Sequence, residues 1–198
     1  MANVAAAFGF RQIGYLSGGG PDYQLATRAI QSSYATKIFN GDPVIKSGAY
    51  ITQDTSASTT LLEGIFQGCV YIPTGGGTPI WSPFWPGAVA ASDATAYVLN
   101  APNALFLAAA LNTAISSANI GSNISFSLGT GSTSGGGFSG ATVDQSTITT
   151  NVASAAFFPF QIVSLYQGVG NGSDPTTPFN WCVVTFNNQR FRTLTSVT

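Results

Sequence analysis

NWCVVTFNNQRF, residues 180–191, is dense in β-branched and aromatic residues and is one of the two plainest strands in the chain. Its counterpart is FPFQIVSLYQGV (158–169), and an Asn-Gly-Ser-Asp-Pro loop at 171–175 separates the two. If the strand runs on through NNQRFRT (187–193), Arg190 and Arg192 share one face and Phe191 takes the other. Two readings of the arginines stay open. They hold carboxylates on a partner, or they blunt an edge strand against aggregation.

Outward from this pair the same pattern repeats. Asn40-Gly41-Asp42-Pro43 is a turn cluster between apolar runs. LLEGIFQGCVYIP (61–73) is apolar with glycine interruptions, which predicts a bent or bulged strand. TAYVLNAPNALFLA (95–108) predicts two strands about a turn at 100–103. Only AAALNTAISSA (108–118) has a helical composition, enough for a turn or two. The Gly/Ser/Thr-rich stretch at 125–150 spaces Phe126, Leu128, Phe138, Val143 and Ile148 as a strand–loop–strand unit would. The expected fold is therefore all-β, a single sandwich or barrel-like body with long loops.

The first 35 residues differ. Gly18, Gly19, Gly20 and Pro21 interrupt any continuous element, and no local core is evident around the apolar residues before them. Residues 1–35 are expected to be an extended N-terminal arm, and 36–198 the β-rich body. The alternative is a terminal strand folded back onto its own core. In the arm reading Phe8, Phe10, Arg11, Tyr15 and Leu16 are contacts to a neighbour.

Charged residues are 7% of the chain and the formal net charge is −1, against roughly 25% charged in an ordinary soluble domain. Charge gives such a chain little protection from self-association, so an assembly suits it better than free solution. A monomer covered by neutral polar side chains satisfies the same composition. The basic residues are dispersed, so no nucleic-acid partner is expected. The N-terminus has no basic region and no sustained apolar run, and ALFLAAALNTAI (104–115) is too short to span a bilayer. Neither a signal peptide nor a membrane partner is expected.

Chemistry is limited by what the chain lacks. With no histidine, Ser–His–acid triads, Cys–His pairs and imidazole metal sites are excluded. The seven carboxylates are dispersed, mostly in predicted turns, where Asp accepts backbone hydrogen bonds. Cys69 and Cys182 match no metal spacing and lie in apolar runs, which favours buried thiols. No catalytic residue, metal or cofactor is expected, and the chain is not read as an enzyme. Trp81, Phe84 and Trp85, in the Pro/Gly loop 74–87, are interface anchors, a plug for one end of a barrel, or a carbohydrate platform.

Read in order, several segments together resemble one family. These are MANVAAAFGFRQIGYLSGG (1–19), IFNGDPVIKSG (38–48), LEGIFQGCVYIP (62–73) and AYVLNAPNALF (96–106), followed by ATVDQSTITT (141–150) and WCVVTFNNQRF (181–191). The series is similar to the head decoration, or cement, proteins of tailed bacteriophages. The WSPFW loop (81–85) and the low charge depart from that family. The resemblance implies a structural virion protein, made in the host cytoplasm, that binds the outer surface of the assembled capsid. Its implied partners are the major capsid protein and itself, as a homotrimer, with Arg190 and Arg192 pairing carboxylates of a neighbouring subunit. A virion adhesin or receptor/carbohydrate-binding module is the other reading.

Overall fold

The computed structural model describes residues 2–22, 24–55, 61–134, 136–148 and 157–192. Among them the chain is all-β, with no α-helix. The first strands are β1 (Arg11–Tyr15), β2 (Ala26–Ile30), β3 (Pro43–Ser47) and β4 (Tyr50–Gln53). The long β5 (Leu62–Pro73), short β6 (Ile80–Ser82), β7 (Ala91–Leu99) and β8 (Ala104–Ala109) follow. The last four are β9 (Asn123–Ser127), β10 (Thr142–Asp144), β11 (Phe160–Leu165) and β12 (Trp181–Phe186). The segment of helical composition gives only a 3-10 turn at Ser117–Asn119, because Ala108 and Ala109 belong to β8.

These strands form two six-stranded sheets. One is open and antiparallel in the order β1-β8-β12-β11-β9-β10. The other runs β3-β4-β2-β7-β5-β6 and closes on itself where β3 also pairs with β5, making a small five-stranded barrel. Its one parallel pairing is β2 with β4. Strand β5 makes closure possible. Its first residues pair with β3 and Cys69–Tyr71 with β6, while β7 pairs along the other side from Ile65 to Pro73. The bend comes at a register shift between Phe66 and Gly68, as the glycine interruptions predict. Gly64 is needed because a Cβ there would lie 2.3 Å from the Leu99 carbonyl oxygen.

Each sheet encloses a core. In the open sheet Phe106, Phe126, Phe160 and Phe186 are fully or almost fully buried. Leu62, Ile65 and Leu99, which come from barrel strands, pack into this same cluster, so the two sheets share a continuous interior. The barrel core holds Ile38, Val44, Ile51, Phe66, Val98 and Trp85. Cys69 lies in the barrel core and Cys182 in the open-sheet core, both as free thiols.

The N-terminal segment departs from expectation. It is not an arm: β1 pairs with β8 at the edge of the open sheet, and β2 is a barrel stave between β4 and β7. Phe10 is fully buried, stacked on Phe160 with ring centroids 4.2 Å apart. Gly9, at φ +73°, threads the chain into that position, since a Cβ there would lie 2.6 Å from the Ser139 Cβ. Before it, Asn3 docks on the loop after β11. Its Oδ1 accepts from Gly172 N at 2.9 Å, and its Nδ2 donates to the Asp174 carbonyl at 2.8 Å. The glycines at 18–20 mark a turn between two sheets of one body. The core that the apolar residues lacked locally is supplied by β8, β9 and β11, all distant in sequence.

Candidate functional site

Residues 187–192 do not continue β12, and Thr193 lies outside the described residues. Asn187 N and Asn188 N both donate to the Pro159 carbonyl, at 2.8 and 3.3 Å. Their side-chain amides cap the Phe158 and Phe157 carbonyls. This consecutive Asn pair turns the chain off the ladder, as Asn does where local hydrogen bonds compete with a sheet. Arg190 and Arg192 therefore share no strand face. Arg190 N donates to the Leu62 carbonyl at 2.9 Å, and its guanidinium Nη1 lies 3.9 Å from Glu63 Oε2. Arg192 Nη1 donates to the Pro102 carbonyl at 3.2 Å and to Thr185 Oγ1 at 3.0 Å. Burial draws the Arg192 guanidinium below its ordinary pKa.

Glu63 is the centre of this corner. It is 2% exposed, and its Oε1 accepts from Arg28 Nε at 2.5 Å. Gln189 Nε2 donates to the Glu63 and Asn100 carbonyls, both at 3.2 Å, tying the turn to β5 and to the exit of β7. A carboxylate so buried costs several kcal/mol to desolvate unless paired, and Arg28 of β2 supplies that pairing at Oε1. Beside the turn is an open groove of about 460 Å3, lined chiefly by Leu25, Ala26, Asn100, Ala101, Pro102 and Phe191.

Of the three loop aromatics, Trp85 is fully buried and plugs the barrel. Its Nε1 donates to the Tyr34 carbonyl at 2.9 Å, and its ring meets Tyr71 edge-on. It is not an outward-facing contact. Phe84 is half-buried and stacks on Phe39. Trp81 stands on the edge strand β6 at 62% exposure, next to the exposed Ile80.

The N-terminal candidates divide in the same way. Phe10 belongs to the core. Phe8 is half-buried, edge-on to Trp181, with the Arg11 guanidinium 5.3 Å from its ring centroid and 4.5 Å from that of Phe138. The Tyr15 hydroxyl donates to Asp22, which holds that exposed carboxyl below its usual range, and Leu16 is exposed. With Phe10 and Trp85 in the interior, the remaining candidates lie near the β1 edge, near the β6 edge and at the corner around Glu63.

Sequence reasoning missed Leu25, Arg28, Lys46, Tyr50 and Leu61, which lie around the same barrel end as Glu63. Their only one-dimensional signal is an exposed apolar or basic residue at a strand end, which is common to most strands.

Buried acids serve the fold. Asp42, 1% exposed, accepts from Phe39 N at 2.8 Å and Gln53 Nε2 at 2.7 Å, and burial raises its pKa against those bonds. Among the described residues no group of three or more Cys, Asp or Glu side chains is placed to hold a metal ion. No described helix is long and apolar enough to cross a membrane. No family model matches the chain, and neither a curated protein nor a solved structure matches it.

Proposed function

We propose that this chain is a capsid decoration protein, which binds the outside of an assembled phage head and braces contacts between its major capsid subunits. The observation that carries the reading is the ordered likeness to such proteins, from MANVAAAFGFRQIGY (1–15) to WCVVTFNNQRF (181–191). Surface composition supports it. Thirteen large hydrophobic side chains are exposed among the described residues, on a chain with 7% charge. Single exposed hydrophobics are ordinary, but with so few charges between them they suit a protein that works in an assembly. Each attached copy binds only the assembled shell, so it stabilises that shell by mass action, by about 2.7 kcal/mol per site at a hundredfold excess over Kd.

Trp81 favours a second reading. A Trp ring at 62% exposure on a sheet edge is a platform for a sugar face, as an adhesin or receptor-binding module would present. Co-sedimentation of the protein with purified heads and with unassembled capsid subunits, beside a glycan array, tests both. Decoration predicts saturable binding to heads alone. Glycan binding without head binding overturns it in favour of the second reading.

A further inference from the structure

One end of the barrel is chemically unlike the rest of the molecule. The register fixes which residues stand there. Strands β2, β4 and β5 begin at this end, and β3 and β7 finish at it. Ile45 pairs with Leu62, so Lys46 lies beyond the start of β5 and is exposed. Arg28 reaches the same end through Glu63, and Arg190 and Arg192 arrive on the turn after β12. Four of the chain's six cations are gathered here, and among the described residues Glu63 is the carboxylate that pairs with them. The remaining two cations, Arg11 and Lys37, share the rest of the sequence with six Asp side chains.

Not all four cations are open to a partner. Arg28 is held by Glu63 and by the Thr27 carbonyl, and Arg192 spends Nη1 on its own chain. Arg190 has a single ion-pair contact with Glu63 Oε2, at 3.9 Å, but its side chain is 44% exposed, and neither it nor Lys46 makes a side-chain hydrogen bond among the described residues. Around them Leu25, Tyr50, Leu61 and Phe191 are each between 36% and 47% exposed, and Leu25 and Phe191 line the groove of about 460 Å3.

We propose that this barrel end docks an acidic segment of a protein partner, with one apolar side chain in the groove between Leu25, Pro102 and Phe191 and carboxylates on Arg190 and Lys46. The inference rests on the decoration reading for the identity of that partner, an acidic loop or arm of a shell subunit. Charge complementarity selects the occupant: a cationic rim on a chain that is otherwise acidic steers and registers a negatively charged partner. The apolar anchor supplies affinity, because a side chain in a desolvated pocket dominates binding while rim charges contribute specificity. Two cations with donors left over are too few for a run of nucleic-acid phosphates, which takes on the order of six to ten contacts. A guanidinium with most of its donors unspent is suited to bidentate pairing with a carboxylate.

The test uses the full chain and labelled peptides in which Asp and Glu flank a central Leu or Phe, their Asn/Gln counterparts, and a single-stranded DNA oligonucleotide. Fluorescence anisotropy and backbone NMR are read for the natural chain, for Arg190→Gln with Lys46→Gln, for Phe191→Ser, and for Lys37→Gln as a control. Acidic peptides should bind at least tenfold more tightly than neutral ones. They should weaken at least tenfold in the double variant and in Phe191→Ser, but not in the control, and shift the amides of Leu25, Ala101 and Phe191. Equal binding of neutral peptides, preference for DNA, no binding, or shifts confined elsewhere would each overturn the proposal. Purified heads separate it from the reading beneath it. If the double variant attaches like the natural chain, the docking site is wrong and decoration stands. If acidic peptides bind here but the natural chain does not attach to heads, decoration fails and the chemistry of the groove stands.

Discussion

The ring of Phe10 stacks on that of Phe160, with centroids 4.2 Å apart and planes 14° from parallel. This contact joins the segment before β1 to β11, 150 residues later, inside the cluster that also holds Phe106, Phe126 and Phe186. It makes the N-terminal segment part of the fold, so whatever binding it does is done from a fixed position.

Replacing Phe10 with Ala should therefore destabilise the whole molecule by about 3–5 kcal/mol, the usual cost of removing a buried aromatic side chain. Deleting residues 1–20 should be worse, since β1 and its ladder to β8 go with it. Chemical denaturation measures both. A deletion with an unchanged transition would show that residues 1–20 are an arm after all.

Trp81 and Trp85 are four residues apart and should behave oppositely. Trp85→Ala should cost about 3–5 kcal/mol, because it empties the plugged barrel and frees the Tyr34 carbonyl. Trp81→Ala should change stability by no more than about 0.5 kcal/mol, as exposed substitutions do. Thermal melts of the two variants check this, and equal losses would contradict the assigned burial.

Much of the fold was legible locally. Apolar runs bounded by Gly, Pro and Asn mark β5, β7, β8, β11 and β12, and the turn at 100–103 is where the chain leaves the barrel for the open sheet. What could not be read was long-range. Whether Phe10 meets a neighbour or its own chain depends on Phe160, and nothing near either residue encodes the pairing. Arg190 and Arg192 were misplaced for a local reason: extending β12 ignored the Asn187–Asn188 pair, whose amides cap the carbonyls of Phe158 and Phe157. The barrel-end cluster is long-range too: the β2–β7 ladder sets Leu25 near the exit of β7, the β3–β5 ladder sets Lys46 beyond Leu62, and Phe191 arrives from the turn after β12.

Burial pushes the thiols of Cys69 and Cys182 up to about 12 from an ordinary 9.0. Neither should react with a thiol reagent at pH 8 while the protein is folded, and both should react once it is denatured. The sign of the linkage follows from the raised folded values. Below pH 9 both thiols are protonated in either state and their contribution is fully present. It is lost as pH climbs from 9 toward 12, where the unfolded chain releases protons that the folded one retains. Replacing both residues with Ala should flatten the alkaline fall in stability. Fast labelling of the native protein, or an unchanged alkaline slope, would contradict this.

Bracing of an assembled shell, the function proposed above, is read in the temperature at which DNA-filled heads rupture as the protein is added back to heads stripped of it. The rupture temperature should rise with occupancy and level off when the sites are full. Heads saturated with the protein that rupture at the same temperature as bare ones would contradict it.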